Sequence, residues 1–252
     1  MLTLSLLPEG MSLLAFASLA LTSFAGSFIT VAFGIGGGAL MLAVMATLLP
    51  PTALIPVHGV IQIGSNLGRV MVTFRHIFWP ALPSFAVGSL IGAATGGMVA
   101  VNLPPALVQI GVGLFILWNV LAKAPRILRD WPLVIGVLSS FLTMFFGATG
   151  IFVATYIKSL ELPRHGHVAT QAALMSLQHG LKVIVFGLLG FAFWEWAGFI
   201  AVMIATGFCG TLTGKAVLNR MGDDRFRLAL NIVLIALAAR LVYAGLRDLT
   251  GL

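Results

Sequence analysis

Hydrophobic positions along this chain form long continuous runs. A membrane-spanning helix needs about 20 apolar residues, and the longer runs meet that length. The runs are Met11–Phe33, Ala39–Leu49, Thr52–Val72, Pro80–Val101, Ala106–Ala122, Pro132–Ile157, Val168–Phe191, Trp196–Gly214 and Leu228–Leu246. Ala39–Leu49 is too short to cross a bilayer, and Pro132–Ile157 is interrupted by glycines. The strict alternation of a transmembrane β-barrel is absent, so the pattern predicts an all-α polytopic membrane protein.

Composition narrows the class of protein further. Of the 252 residues, 60% are hydrophobic and 8% are charged, with a mean hydropathy of +1.09. A soluble domain of this size cannot cover its surface with so few charges. A single cysteine, Cys209, excludes an internal disulfide. No Lys or Arg precedes the first apolar run, which argues against a cleaved signal peptide. We expect residues 1–252 to form a single membrane domain.

An internal repeat relates the two halves of the chain. Shifts of 113 or 118 positions bring similar stretches into alignment without gaps. The aligned pairs are SFITVAFGIGG (27–37) with SFLTMFFGATG (140–150), HGVIQIGSNLGR (58–69) with QAALMSLQHGLK (171–182), and GAATG (92–96) with GTLTG (210–214). We therefore predict two copies of one unit, over about residues 12–122 and about residues 132–248.

The basic residues predict the orientation of the two copies. Although the formal net charge is +7, Lys and Arg cluster in short loops, which is typical of cytoplasmic loops and not of a nucleic-acid-binding face. These loops are Arg69–Arg75, Lys123–Arg129, Lys158–Arg164 and Lys215–Arg227. The second and third can share a side only if the intervening segment turns back at Gly147–Gly150. Each repeat is then a glycine-broken helical hairpin followed by three transmembrane helices, in inverted topology, with both termini outside.

The glycine breaks, Gly34–Gly38 and Gly147–Gly150, predict an anion site. Irregular backbone at membrane depth is tolerated where protein or a watery cavity covers it. Two breaks from opposite sides would bring two half-helix N-termini, near Ala39 and Ile151, to one cavity, where N–H groups and helix dipoles favour an anion. A nucleotide-binding loop is excluded because no Lys-Ser/Thr follows the glycines. Helix packing through small residues remains an alternative here, and it is the preferred interpretation for GSLIGAATGG and GFCGTLTGK.

Two stripes of polar residues accompany these breaks. In each stripe the side chains recur at three- and four-residue spacing and share one helical face. The first stripe contains His58, Gln62, Ser65, Asn66 and Arg69, and the second contains Gln171, Gln178, His179 and Lys182. Polar groups inside a bilayer are costly and normally face a cavity or one another. Arg69 lies near a helix end, so extension to the membrane surface also explains it, whereas Lys182 lies too deep for that.

The position of the carboxylates supports an anion as the ligand of these stripes. All seven lie in loops or at segment ends, so a bound anion is the natural counter-charge for Arg69 and Lys182. Proton coupling through an intramembrane carboxylate is therefore not expected. His58 and His179 are the available proton carriers, unless they serve only to hydrogen-bond across helices.

Several stretches resemble the TauE/SafE family of membrane permeases, often described as sulfite or sulfonate exporters. They are GIGGG (34–38), HGVIQIGSNLGRVMVTFRHIFW (58–79), FFGATGIF (145–152) and QHGLKVIVFGLLGF (178–191). The resemblance covers roughly residues 20–245. It implies movement of sulfite, sulfonates or related anions across the cytoplasmic membrane of a prokaryote. The resemblance implies a small hydroxyl residue, typically Thr, near the start of each stripe helix, as in many family members. Thr170 fits that pattern, and the first half departs from it at Val57 and His58.

These observations predict a secondary transporter that works by alternating access and exports a small sulfur anion. An anion channel for the same substrates is the alternative, and a non-transporting assembly subunit is less favoured because the loops are short. An enzyme is not expected, because no buried carboxylate, Cys–His pair or metal-ligand cluster is present. We expect no cofactor and no metal.

The predicted ligand is a small sulfur-containing anion, with the lipid bilayer around the chain, no nucleic acid, and homo-oligomer formation left open. The predicted substrate-binding residues are Gly34, Gly36, Gly37, Gly38, His58, Gln62, Asn66, Arg69, Gly147, Thr149, Gly150, Gln171, His179 and Lys182.

Overall fold

A computed structural model describes residues 7–33, 36–100, 104–121, 131–147, 149–217 and 224–250. Within these ranges the chain is helical and contains no β-strand. The α-helices are α1 (Leu13–Phe33), α2 (Gly37–Leu48), α3 (Pro51–Thr73), α4 (Leu82–Ala100), α5 (Pro105–Leu121), α6 (Pro132–Phe146), α7 (Gly150–Ser159), α8 (Arg164–Leu188), α9 (Ala197–Val217) and α10 (Asp224–Thr250). Short 3₁₀ turns lie at Phe74–His76, Trp79–Ala81 and Phe193–Trp196. The predicted all-α class is confirmed.

By length and composition, several helical segments are suited to cross a membrane. Among the described residues these are Leu13–Ala32, Trp79–Val99, Phe193–Ala216 and Leu230–Thr250. Three shorter apolar helices, α2, α5 and α6, accompany them. Helices α3 and α8 are long, at 23 and 25 residues, but they carry the two polar stripes. The chain is a multi-pass membrane protein with polar helices among apolar ones.

Both predicted helix breaks are present. Between α1 and α2, Gly36 has a φ of +104°, and between α6 and α7, Gly147 has a φ of +71°. These are left-handed backbone conformations that glycine adopts without steric cost. The two half-helices begin at Gly37 and Gly150, one or two residues earlier than the sequence predicted. Gly34 lies outside the described residues.

Small residues pack four of the helices into two pairs, α4 on α6 and α1 on α9. A Cβ atom added to Gly92 would collide with the carbonyl oxygen of Val137, and one added to Gly210 would collide with that of Phe24. The backbones of the paired helices therefore approach too closely for any larger residue. This confirms the helix-packing interpretation of the two glycine-rich stretches that contain Gly92 and Gly210. The two contacts also correspond in the repeat, because a shift of 118 relates Gly92 to Gly210 and a shift of 113 relates Phe24 to Val137.

The polar helices α3 and α8 pack side by side, and α5 packs against α10. One hydrophobic cluster joins α2 and α3 to α5, α9 and α10. A second contains residues from each of the helices α4, α5, α6, α7 and α8. Large apolar side chains such as Leu14 and Leu188 are mostly exposed on the outside. The arrangement is polar within and apolar outside, which suits a bilayer environment.

Candidate functional site

The two helix breaks meet α3 and α8 around a cavity of about 290 Å³. Nine of the residues predicted from the sequence line it. They are Gly36, Gly38, Gln62, Asn66, Arg69, Gly147, Gly150, Gln171 and His179. The tertiary structure thus brings both glycine breaks and both polar stripes to one place.

Arg69 is the charged side chain of the cavity wall. Its guanidinium donates to the Ser65 hydroxyl at 3.1 Å and to the Asn66 side-chain oxygen at 2.5 Å. Asn66 in turn donates to the carbonyl of Gln62, and the Ser27 and Ser65 hydroxyls hydrogen-bond at 2.6 Å. Only 5% of Arg69 is exposed. The side chain is therefore enclosed by protein, which argues against the alternative explanation that it extends to the membrane surface. These hydrogen bonds fix the guanidinium in the wall, and the remaining N–H groups are available to a bound anion.

The N-termini of α2 and α7 border the same cavity. Neither N-cap residue, Gly36 or Thr149, supplies a side-chain hydrogen bond to its helix. The Thr149 hydroxyl instead accepts a hydrogen bond from the Gln178 amide at 2.5 Å. A helix N-terminus that lacks a side-chain cap presents N–H groups and a positive dipole end. Both ends are therefore suited to an anion.

A glutamine lies close to each helix break. A Cβ atom on Gly38 would collide with the Gln62 amide nitrogen, and one on Gly150 would lie 4.0 Å from that of Gln171. Side-chain amides are neutral hydrogen-bond donors that can orient an oxyanion. Both cavity ends thus combine backbone and amide donors. The two glutamines do not occupy equivalent positions in the repeat. Their similar placement beside the two helix breaks is therefore a property of the folded chain and not of the sequence repeat.

Four predicted residues lie behind the cavity wall. Gly37, His58, Thr149 and Lys182 are not among the lining residues. Lys182 is fully buried, and its side chain packs on Gly59 of α3, next to the lining and not among it. The reason is that the small surface at Gly59 accommodates the long lysine chain between α3 and α8.

His58 and His179 form a buried pair at this boundary. The His58 Nε2 atom donates to the carbonyl of Gly38 at 3.2 Å. The two imidazole rings lie 6.0 Å apart, edge to face, and both side chains are fully buried. Of the two histidines, His179 also lines the cavity. The pair therefore connects the cavity to the buried region beside Lys182.

The described residues that line the cavity include one guanidinium group, that of Arg69, and no carboxylate. A salt bridge between described residues, Arg247 with Asp248 at 3.7 Å, lies on the exposed end of α10. The described part of the chain holds no group of three or more His, Cys, Asp or Glu side chains arranged for a metal ion. An anion would thus be the counter-charge of the cavity.

Sequence reasoning missed part of the cavity. Three polar lining residues, Thr30, Asn119 and Asn231, were not predicted. A lone asparagine within an apolar span is the signal that points to the last two, because such groups are costly in a bilayer. Helices α5 and α10 also contribute an apolar wall. It consists of Ile116, Val120, Leu230 and Leu234.

Comparison with known proteins yields one family. The chain matches the family described as sulfite exporter TauE/SafE over residues 19–241. No curated protein and no solved structure matches it.

Proposed function

Because this chain belongs to the sulfite exporter TauE/SafE family, we propose that it is a secondary transporter that moves sulfite or a small organosulfonate across the cytoplasmic membrane of a prokaryote. The family implies an exporter-type transporter of a sulfur-containing anion. The particular substrate, the outward direction and the mechanism are our proposal.

The observation that carries the proposal is the chemistry of the cavity. Arg69 supplies a fixed positive charge, and the N-termini of α2 and α7 supply backbone donors from two sides. Gln62 and Gln171 add neutral donors beside these ends. Donors from several directions around one cation suit the tetrahedral or pyramidal head of a sulfur oxyanion. No carboxylate in the described lining competes for that cation.

The apolar wall from α5 and α10 favours a substrate with a short carbon tail. Sulfite itself is far smaller than the cavity of about 290 Å³, whereas a two- or three-carbon sulfonate would place its tail on Ile116 and Leu234. Burial of apolar surface contributes roughly 0.8 kcal/mol per CH₂ group. A zwitterion such as taurine would bury its ammonium group without a carboxylate partner, which is costly. An uncharged tail is therefore preferred.

We propose alternating access between two inverted repeats within a single membrane domain. The contact of α4 with α6 and that of α1 with α9 are related by the repeat shifts, which supports duplication. The pairs α3 with α8 and α5 with α10 join the two repeats around the cavity. Movement of the closely packed pair α1 with α9 relative to the pair α4 with α6, each of which takes one helix from either repeat, would expose the cavity to each side in turn. In this arrangement both termini lie outside and the basic loops lie in the cytoplasm.

Binding to the purified protein tests this function first. Sulfite, thiosulfate, sulfate, isethionate, sulfoacetate and taurine would be titrated into protein in detergent. We expect saturable binding of a sulfur monoanion that is weakened in the Arg69→Gln variant. Absence of binding by all six compounds would contradict the proposal.

A liposome assay then separates a carrier from a channel. Uptake of labelled substrate would be measured with and without unlabelled substrate on the far side. A carrier that alternates between two sides is expected to show counterflow, with faster uptake into loaded vesicles. Flux that does not respond to the far-side substrate would favour the anion channel instead.

A further inference from the structure

A buried group of nitrogen atoms next to the cavity has no part in the proposed contacts to the anion. It comprises the side chains of His58, His179 and Lys182, all fully buried. Among the described residues, no hydrogen-bond partner is present for Nδ1 of His58, for either ring nitrogen of His179, or for Nζ of Lys182. Buried polar groups are normally paired, so an unpaired set of this size calls for a ligand.

The hydrogen bond of His58 fixes which of its ring nitrogens is free. A backbone carbonyl can only accept a hydrogen bond, so the Nε2 atom that contacts the Gly38 carbonyl carries a proton. In the neutral ring the other nitrogen, Nδ1, then holds a lone pair. This atom is buried beside Gly147, where an added Cβ atom would lie 3.3 Å from it. His58 thus presents an unoccupied proton acceptor at the second helix break.

His179 and Lys182 are the other two buried basic side chains of this group, and they lie on the side of the cavity and on the side of α3, respectively. The two imidazole rings are 6.0 Å apart, and His179 lines the cavity directly. Lys182 lies one helical turn further along α8, where its Nζ atom would be 3.7 Å from a Cβ on Gly59. Gly59 is the chain neighbour of His58. The three basic groups therefore form one cluster that reaches the cavity at His179.

We propose that His58, His179 and Lys182 form a proton-binding site that takes up a proton when an anion occupies the neighbouring cavity. This inference rests on the proposed function, because the anion is the one that the cavity binds. A proton added to this cluster without an anion is opposed by the positive charge of Arg69 and by burial. A bound anion supplies the compensating charge. By thermodynamic linkage each ligand then tightens the binding of the other.

Among the described residues that line the cavity, the titratable side chains are Arg69 and His179. Of the helices packed on α3 or α8, the described parts of α2, α4, α5 and α6 contain no titratable side chain. Arg69 acts electrostatically on His179, and its guanidinium stays protonated. Tyr156 packs within the second hydrophobic cluster. The other titratable groups of the adjoining segments lie at helix ends or on the outer surface, and one of them, His167, is half-buried and hydrogen-bonds to Gln171 of the cavity wall. They are Arg75, His76, Lys158, Glu161, Arg164, His165, His167, Glu195, Cys209 and Lys215.

Calorimetry with isethionate tests the proposal directly. A sulfonate stays ionised between pH 6 and 9, so any proton taken up comes to the protein and not to the ligand. The titration would be run in two cationic buffers with different ionisation enthalpies, Tris and triethanolamine, because sulfonate buffers would compete for the cavity. The difference in heat between the buffers gives the number of protons taken up per anion.

We expect the uptake of up to one proton per isethionate bound. In the pH range where the free cluster is unprotonated, the Kd for isethionate should rise by up to tenfold for each unit of increasing pH. The triple variant His58→Gln, His179→Gln, Lys182→Met is expected to bind isethionate more weakly and without proton uptake. A matched control, His76→Gln with His165→Gln, changes an exposed and a half-buried histidine that contact each other and is expected to retain the uptake. Lys182→Met provides a further single variant with reduced uptake.

The wild-type measurement alone can overturn the proposal, so it does not depend on the variants folding. Isethionate binding without proton uptake between pH 6 and 9 would refute the proton site and leave the anion transporter intact. Uptake that persists in the cluster triple variant, or that is lost in the control, would refute this location. No isethionate binding at any pH would overturn the site together with isethionate as a substrate.

Discussion

Replacing Arg69 by glutamine tests whether the cavity recognises an anion through this guanidinium. Glutamine keeps an amide that can still donate to Ser65 or Asn66, so the wall retains a hydrogen-bond donor. The fixed charge is lost, and so are its hydrogen bonds to the ligand. A hydrogen bond to a charged group contributes about 1.5–3 kcal/mol. At 1.4 kcal/mol per factor of ten, we expect the Kd for isethionate to rise about 10- to 150-fold.

The assay is isothermal titration of purified protein in detergent, with melting temperature and gel filtration as tests of folding. Arg69→Lys keeps the charge but loses the planar guanidinium, so we expect an intermediate loss of affinity. Arg75→Gln is the matched control, because Arg75 is an exposed arginine in the 3₁₀ turn that follows α3. It is expected to bind like the unmodified protein.

An unchanged Kd in a folded Arg69→Gln protein would refute the reasoning. It would mean that the anion is held elsewhere, or that the helix N-termini suffice for binding. A similar loss in Arg75→Gln would show that long-range charge, and not contact within the cavity, sets the affinity. Ionic strength separates these cases further, because exposed charges are screened by salt and buried ones much less.

Further predictions concern the helix breaks, the helix packing and the substrate. Gly147→Ala is expected to cost about 1–2 kcal/mol of stability from its positive φ and to abolish isethionate binding. Gly190→Ala has a similar φ of +90° but open space around it, so it should lose stability without losing affinity. Gly92→Ala should lower the melting temperature by overpacking against Val137, at about 1–3 kcal/mol. Gly180→Ala on α8 has no neighbour within 4 Å and should be neutral or stabilising; equal effects of these two changes would contradict the packing argument. Taurine is expected to bind at least about tenfold more weakly than isethionate in competition titrations, and equal affinity would refute the preference for an uncharged tail.

The sequence determined the class of the protein and the positions of its irregular backbone. Long apolar runs and scarce charges demand an all-helical membrane protein, because the bilayer leaves few alternatives for hydrogen-bonding the backbone. Glycine runs at Gly34–Gly38 and Gly147–Gly150 predicted the two breaks, since glycine adopts left-handed conformations at no steric cost. Helical spacing placed His58 through Arg69 on one face. These features are local, so the order of residues in one chain was enough to predict them.

Only the tertiary structure decided which polar residues share the cavity. Arg69 and Lys182 are equivalent in the repeat, and both were predicted to bind the anion, Lys182 more firmly because it lies too deep to reach the membrane surface. In the folded chain Arg69 is held in the wall by Ser65 and Asn66, whereas Lys182 packs on Gly59 behind it. This difference depends on the residues of the neighbouring helix, which the spacing within one helix does not contain.

The same limit explains the residues that were missed. Asn119 and Asn231 lie far apart in the chain, in α5 and α10, and each is the one asparagine of its apolar run. They meet the glycine breaks because α5 packs on α10 and α10 also packs on α2. Periodicity tells which side of a helix is polar, and the helix partners are decided by close packing of whole surfaces. The sequence therefore determined the elements and their polar faces, and the packing of those elements decided the site.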